Sequence, residues 1–151
     1  MKNPNSQTKY FLKTNSLPLL ALIFGFFGFL DATYLTILHF KNILPSCTLH
    51  GCDAVLASKY SVIFGIPVSL LGTIFYLIII GFSLAVLFDK RKIFTYGLFL
   101  SAVAGLFVSA VLFFVQFSLI KSFCQYCLFS EAMSILIFAC CSGLYSKLKK
   151  Y

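Results

Sequence analysis

Six cysteines stand among the 151 residues of this chain, and four of them form two pairs whose spacing suits sulfur chemistry. One pair is the C-x-x-C of Cys124-Gln125-Tyr126-Cys127. The other is Cys47 and Cys52, in a segment where Pro45 and Gly51 favour a turn. Thiol–disulfide exchange needs a second sulfur within reach of the first, and each pair supplies one. A C-x-x-C that opens a helix gains further: free N–H groups and the helix dipole stabilise a thiolate, and Cys124 would feel this most. A loop pair is mobile enough to meet a soluble partner and then swing to a fixed pair, which is the shuttle role expected of Cys47 and Cys52. Two static disulfides, or a four-thiolate zinc site, are other uses of four cysteines. A C-x4-C half at a membrane surface is less typical of zinc. Cys140 and Cys141, deep in the last apolar run, read as small buried apolar residues.

These pairs must be positioned by a chain that is mostly hydrocarbon. Hydrophobic residues make up 60% and charged residues 11%, against about 45–50% and about 25% in a soluble domain. Too few polar residues exist to coat a water-soluble core. Uncharged stretches of about 20 residues mark four membrane spans: roughly 17–40, 64–88, 93–120 and 124–146. The expectation is an all-α, polytopic membrane protein, a four-transmembrane-helix bundle. Residues 1–16 form an N-terminal segment, 17–146 the bundle with an external loop at 41–63, and 147–151 a basic tail. The first span resembles a signal peptide in its basic start and apolar run. It continues past Asp31 to Phe40 without a convincing cleavage site, so an uncleaved span is expected.

The net charge of +8 is a matter of topology. Lys2, Lys9, Lys13, Lys90, Arg91, Lys92, Lys147, Lys149 and Lys150 account for nine of the 12 basic residues and fall on one side. The positive-inside rule puts that side, with both termini, in the cytoplasm. Nucleic acid is not an expected partner. Both cysteine pairs then face outward, into an oxidising compartment. Two carboxylates lie within spans, where an ionisable residue is a functional hypothesis by default. Glu131 follows Cys127 by four residues and Cys124 by seven, so the three share a helical face. Glu131 could exchange protons near the thiols or hydrogen-bond an oxidant, or bond a neighbouring helix as a protonated carboxyl. Asp31 reads as structural, bonding inside the bundle.

The stretch Cys52–Gly72 carries a resemblance. Cys52, Ser58 six residues later, the run Phe64-Gly65-Ile66-Pro67-Val68-Ser69 and the late Cys124-Gln125-Tyr126-Cys127 resemble the vitamin K epoxide reductase family in its bacterial branch, as does Asp31-Ala32-Thr33-Tyr34-Leu35-Thr36. The likeness spans about residues 17–146. It implies a four-helix bundle around a quinone, with Cys47 and Cys52 as the loop shuttle and Cys124 and Cys127 as the active pair. By this resemblance Cys127 works on the quinone, Cys124 exchanges with the loop, and Ser58 lies near the ring. Animal relatives carry a tyrosine where Glu131 stands, which favours a respiratory quinone (ubiquinone or menaquinone) over vitamin K epoxide.

The implied function is that of a quinone-dependent thiol–disulfide oxidoreductase in the bacterial inner membrane. It would reoxidise a separate thioredoxin-like, DsbA-like periplasmic dithiol protein and pass the electrons to the membrane quinone pool. A flat ring could stack on aromatics near the external end, with Phe64, Phe114, Phe117 and Phe123 as candidates. No metal ligand set is expected. Two rivals are a DsbB-type oxidase on another scaffold and a small non-enzymatic membrane protein with structural disulfides. In the DsbB type the C-x-x-C lies in the first external region, whereas here it comes last.

Overall fold

The computed structural model describes residues 4–45, 52–89 and 91–149, with side chains from residue 16 onward and that of Asp53 left aside. Among the described residues, four helices are long and apolar enough to cross a membrane. They are α1 (Pro4–Phe40), α3 (Val68–Phe88), α4 (Lys92–Phe114) and α5 (Gln125–Lys149). The chain is a multi-pass membrane protein. α1 begins at Pro4, well before its apolar part, which runs from Ser16. Uninterrupted helix is what hydrocarbon demands, since it satisfies every backbone group internally.

The helices form a closed ring. α1 packs on α3 and α5, and α4 closes the ring against α3 and α5. The main core joins Ala21, Ile79, Leu98, Ile137 and Leu144 from all four helices. Tyr76 is its polar pin. Its hydroxyl donates to the Ser130 carbonyl at 2.8 Å and lies 2.7 Å from Ser130 Oγ and 3.4 Å from Ser134 Oγ. This ties α3 to α5 without leaving a phenol unpaired in the interior. Gly28 on α1 allows the approach, for a Cβ there would run into the Tyr76 ring.

The loop between α1 and α3 builds the site. It holds α2 (Cys52–Leu56), a 3₁₀ turn (Lys59–Ser61), and a hairpin of β1 (Val62–Ile63) and β2 (Ile66–Pro67). Ile63 pairs with Ile66 and Val62 with Pro67, antiparallel. Phe64 and Gly65 form the two-residue turn with φ of 51° and 81°, the positive values that a hairpin's primed turn requires. The expected second span started at Phe64; the helix starts at Val68. Hydropathy runs unbroken through this stretch, but Gly65 supplies a left-handed turn and Pro67 has no N–H to continue a helix backward.

The third span also ends irregularly. After Phe114 the helix loosens into a π turn, Val115–Ile120, stopped by Lys121 at φ 53°. π turns inside α-helices are rare and concentrate at functional sites.

Candidate redox site

Cys124 immediately precedes α5. Its carbonyl accepts the Leu128 N–H at 2.9 Å, so it stands at the start of the helix where backbone donors are free. The thiol of Cys124 is lowered to about 7. The largest cause is a hydrogen bond with the Cys127 thiol; burial opposes it, and the backbone N–H groups of Cys127 and Tyr126 add to it. Such a sulfur is available as the thiolate nucleophile near neutral pH.

α2 brings the loop to this point. Cys52 and Cys124 are both 0% exposed and share one buried cluster with Val55. Leu56, Ile120, Tyr126 and Cys127 pack around it. Cys52 is disulfide-bonded here, whereas Cys124 and Cys127 are free thiols. Cys47 lies outside the described residues. Spacing could not reveal that Cys52, seventy-two positions before Cys124 in the chain, would be buried in one cluster with it.

On the other side of Cys127 lies a cavity of about 610 Å³, within the range of small-molecule sites. Apolar residues from several helices, such as Ala32, Leu35, Val68 and Leu112, form much of its wall. Among its polar groups are Asp31, Ser58, Gln116, Ser130 and Glu131. Cys127 belongs to the wall; Cys124 and Cys52 do not. Cys127 is thus the cysteine that joins the buried sulfur cluster to the cavity, beside Val55, Leu56 and Ile120, which also border both.

Ser58 donates its hydroxyl to the Val55 carbonyl at 2.7 Å, and its own carbonyl accepts the Ser61 hydroxyl at 2.8 Å. These bonds fold the segment after α2 over the cavity, leaving the Ser58 oxygen able to accept a further hydrogen bond. Glu131 is 8% exposed, and its Oε1 accepts Gln116 Nε2–H at 2.8 Å. Gln116 Oε1 in turn accepts the Cys124 N–H at 3.2 Å. One buried amide therefore holds the cysteine's backbone with one end and the carboxyl with the other.

Gln116 is a residue of this site that sequence reasoning missed. Its signal was a lone polar amide in an apolar span, eight residues before Cys124; its place in the π turn, which aims it at α5, had none.

The four phenylalanines expected near the ring lie elsewhere than on the wall of this cavity. Phe64, Phe114, Phe117 and Phe123 are absent from the cavity wall and all are exposed. Phe64 occupies the hairpin tip, and Phe123 packs at a tilt near Phe113 and Phe117, with ring centroids 6.3 Å apart in each pair. Asp31 also departs from expectation. It joins the cavity wall, and its Oδ2 is buried with no hydrogen-bond partner among the described residues.

No curated protein matches the chain. The model of the vitamin K epoxide reductase family matches residues 19–141, a range holding all four helices' apolar cores, the cavity and both sulfur pairs. With most of its length so matched, the chain belongs to the vitamin K epoxide reductase family and is a membrane thiol–disulfide oxidoreductase.

Proposed function

We propose that this oxidoreductase reoxidises an extracytoplasmic thioredoxin-like dithiol protein and delivers the electrons to a membrane quinone, so supporting disulfide formation in the protein's surroundings. The observation that supports it most is the position of Cys127 between two compartments. Behind it lies the buried cluster that holds Cys52 and Cys124, and before it lies the cavity.

The relay balances as follows. A thiolate of the soluble partner attacks a Cys47–Cys52 disulfide, and the partner's second thiol completes its own disulfide, leaving the loop pair reduced. The Cys52 thiolate attacks Cys124 in the oxidised C-x-x-C, and the Cys127 sulfur leaves as a thiolate. Cys47 then attacks Cys52, releasing Cys124 and restoring the loop disulfide. Two electrons and two protons have moved from the partner to the Cys124–Cys127 pair. A quinone, when bound, would accept two electrons and two protons and return that pair to a disulfide.

The cavity fits such a group in size and in its mixture of hydrocarbon and few polar atoms. Ser58 and Glu131 would hold ring oxygens, and Leu35, Val68 and Leu112 would cover the ring faces. The four exposed phenylalanines take no part in this proposal. Glu131, held by Gln116, keeps its carboxyl pointed where a proton can pass between sulfur and ring. Orientation with both termini in the cytoplasm, in a bacterial inner membrane, agrees with the distribution of Lys and Arg.

The test is quinone absorbance in a purified sample reconstituted in lipid, with a reduced thioredoxin-like oxidase as donor. Quinol should form with wild type and not with Cys124→Ser. No quinol with ubiquinone or menaquinone analogues, in a sample verified as folded, would overturn the quinone reading.

A further inference from the structure

Asp31 is the one cavity-wall carboxyl that the proposed relay does not use. It lies on α1, a helix packed beside α5, which carries Cys127 and Glu131. Its Oδ2 is shut away from solvent and pairs with nothing among the described residues. Buried polar atoms in folded proteins are normally hydrogen-bonded, and each exception calls for a reason. A structural role is a poor reason, because a residue that braces a bundle does so through the bonds it makes. The packing offers another. Asp31 is within electrostatic reach of both Cys124 and Cys127, and its side chain borders the cavity beside Cys127.

Oxidation of the Cys124–Cys127 dithiol releases two electrons and two protons. Whatever accepts the electrons as a quinone must take up two protons also, at two ring oxygens on opposite edges. A single carboxyl on α5 serves one edge. We propose that Asp31 is a second proton-transfer residue of the site: it accepts a proton released when the Cys124–Cys127 dithiol closes to a disulfide, and donates it to a ring oxygen of the quinone. The electrons travel from sulfur to ring, the proton passes through the carboxyl, and Asp31 returns to its starting state. Glu131 handles the other proton. This deepens the quinone reading and rests on it for the final proton acceptor, though not for proton uptake from the thiols.

The experiment has two arms. In the first, quinone-free protein in lipid is cycled between dithiol and disulfide, and an infrared difference spectrum is recorded. Oxidation should produce a protonated-carboxyl band that is absent in Asp31→Asn, displaced in Asp31→Glu and retained in Glu131→Gln. In the second, pre-reduced protein is mixed with a short-chain ubiquinone analogue. Asp31→Asn should react about a hundredfold more slowly, the lower end for loss of a general acid–base group, while binding the analogue as wild type does. Asp31→Glu, which keeps the acid, should recover part of the rate. A spectrum unchanged by Asp31→Asn, or an Asp31→Asn rate within about twofold of wild type on the same rate scale, overturns the proposal. If the infrared band behaves as expected but wild type reduces no quinone, proton uptake by Asp31 stands and the quinone reading falls.

Discussion

Cys124 and Cys127 open α5; Cys140 and Cys141 sit in the same helix about four turns on. Residue type and helix are shared, and surroundings decide the rest. Cys140 and Cys141 belong to the main core with Ile137, Leu144, Leu98 and Ala21, beside hydrocarbon on every side. As helix neighbours they point about 100° apart, so they do not face each other. Cys124 has free backbone donors, a thiol partner three residues on, a loop cysteine in its buried cluster and an amide gripping its N–H. Cysteine reactivity follows from such settings more than from burial, since Cys124 and Cys141 are almost equally buried.

This comparison breaks most sharply by removing sulfurs. Cys124→Ser and Cys127→Ser should each lower quinol formation by on the order of a thousandfold or more, as expected when a covalent nucleophile is lost. Cys140→Ala and Cys141→Ala should leave the rate within about twofold of wild type, because their role is packing. A similar loss from both ends of α5, in folded protein, would refute the distinction.

The amide bridge is the next lever. Gln116→Leu strands the Glu131 carboxyl and the Cys124 N–H together, and each stranded buried group costs about 1–3 kcal/mol. With two groups stranded, stability should fall by about 2–6 kcal/mol in a reversible unfolding assay. Quinol formation should slow by about tenfold, equivalent to about 1.4 kcal/mol of barrier. A smaller stability effect is expected from Tyr76→Phe, which removes the pin between α3 and α5. Polar contacts of this kind in membrane bundles average about 0.6 kcal/mol.

The thiol titration is the finest probe. Alkylation of Cys124 in reduced protein should rise through about pH 7. Because its pKa lies below the ordinary thiol value, the reactive thiolate persists at neutral pH and is lost as pH falls through about 7. Cys127→Ala deletes the largest cause of the lowering, so the same titration should move upward toward the ordinary thiol range. An unchanged midpoint would assign the effect to the helix start alone.

The sequence was most legible where composition and spacing carry physics directly. Charge-free runs mark spans because charges are expensive in hydrocarbon, and a C-x-x-C marks a dithiol because three residues is one helical turn. Glu131 was legible for the same reason, through its shared face with the cysteines. What escaped depended on contacts between distant segments or on irregular backbone. The burial of Cys52 and Cys124 in one cluster joins a loop to the start of the fourth long helix. The π turn that delivers Gln116 has no hydropathy signature. The hairpin at Phe64–Gly65 hid inside an apolar run, although Gly65 and Pro67 marked it. Height along the spans, the basis for naming Phe64, Phe114, Phe117 and Phe123, says nothing of which side of a helix faces the cavity.

The relay's central claim is that the loop sulfur and the span sulfur meet, and disulfide trapping tests it most directly. In protein carrying Cys47→Ser and Cys127→Ser, mild oxidation should link Cys52 to Cys124, seen by mass spectrometry of the peptide pair, since the two share one buried cluster. Failure to link, with both thiols intact and alkylated once the protein is unfolded, would contradict the relay and separate the two cysteine pairs as independent features of the fold.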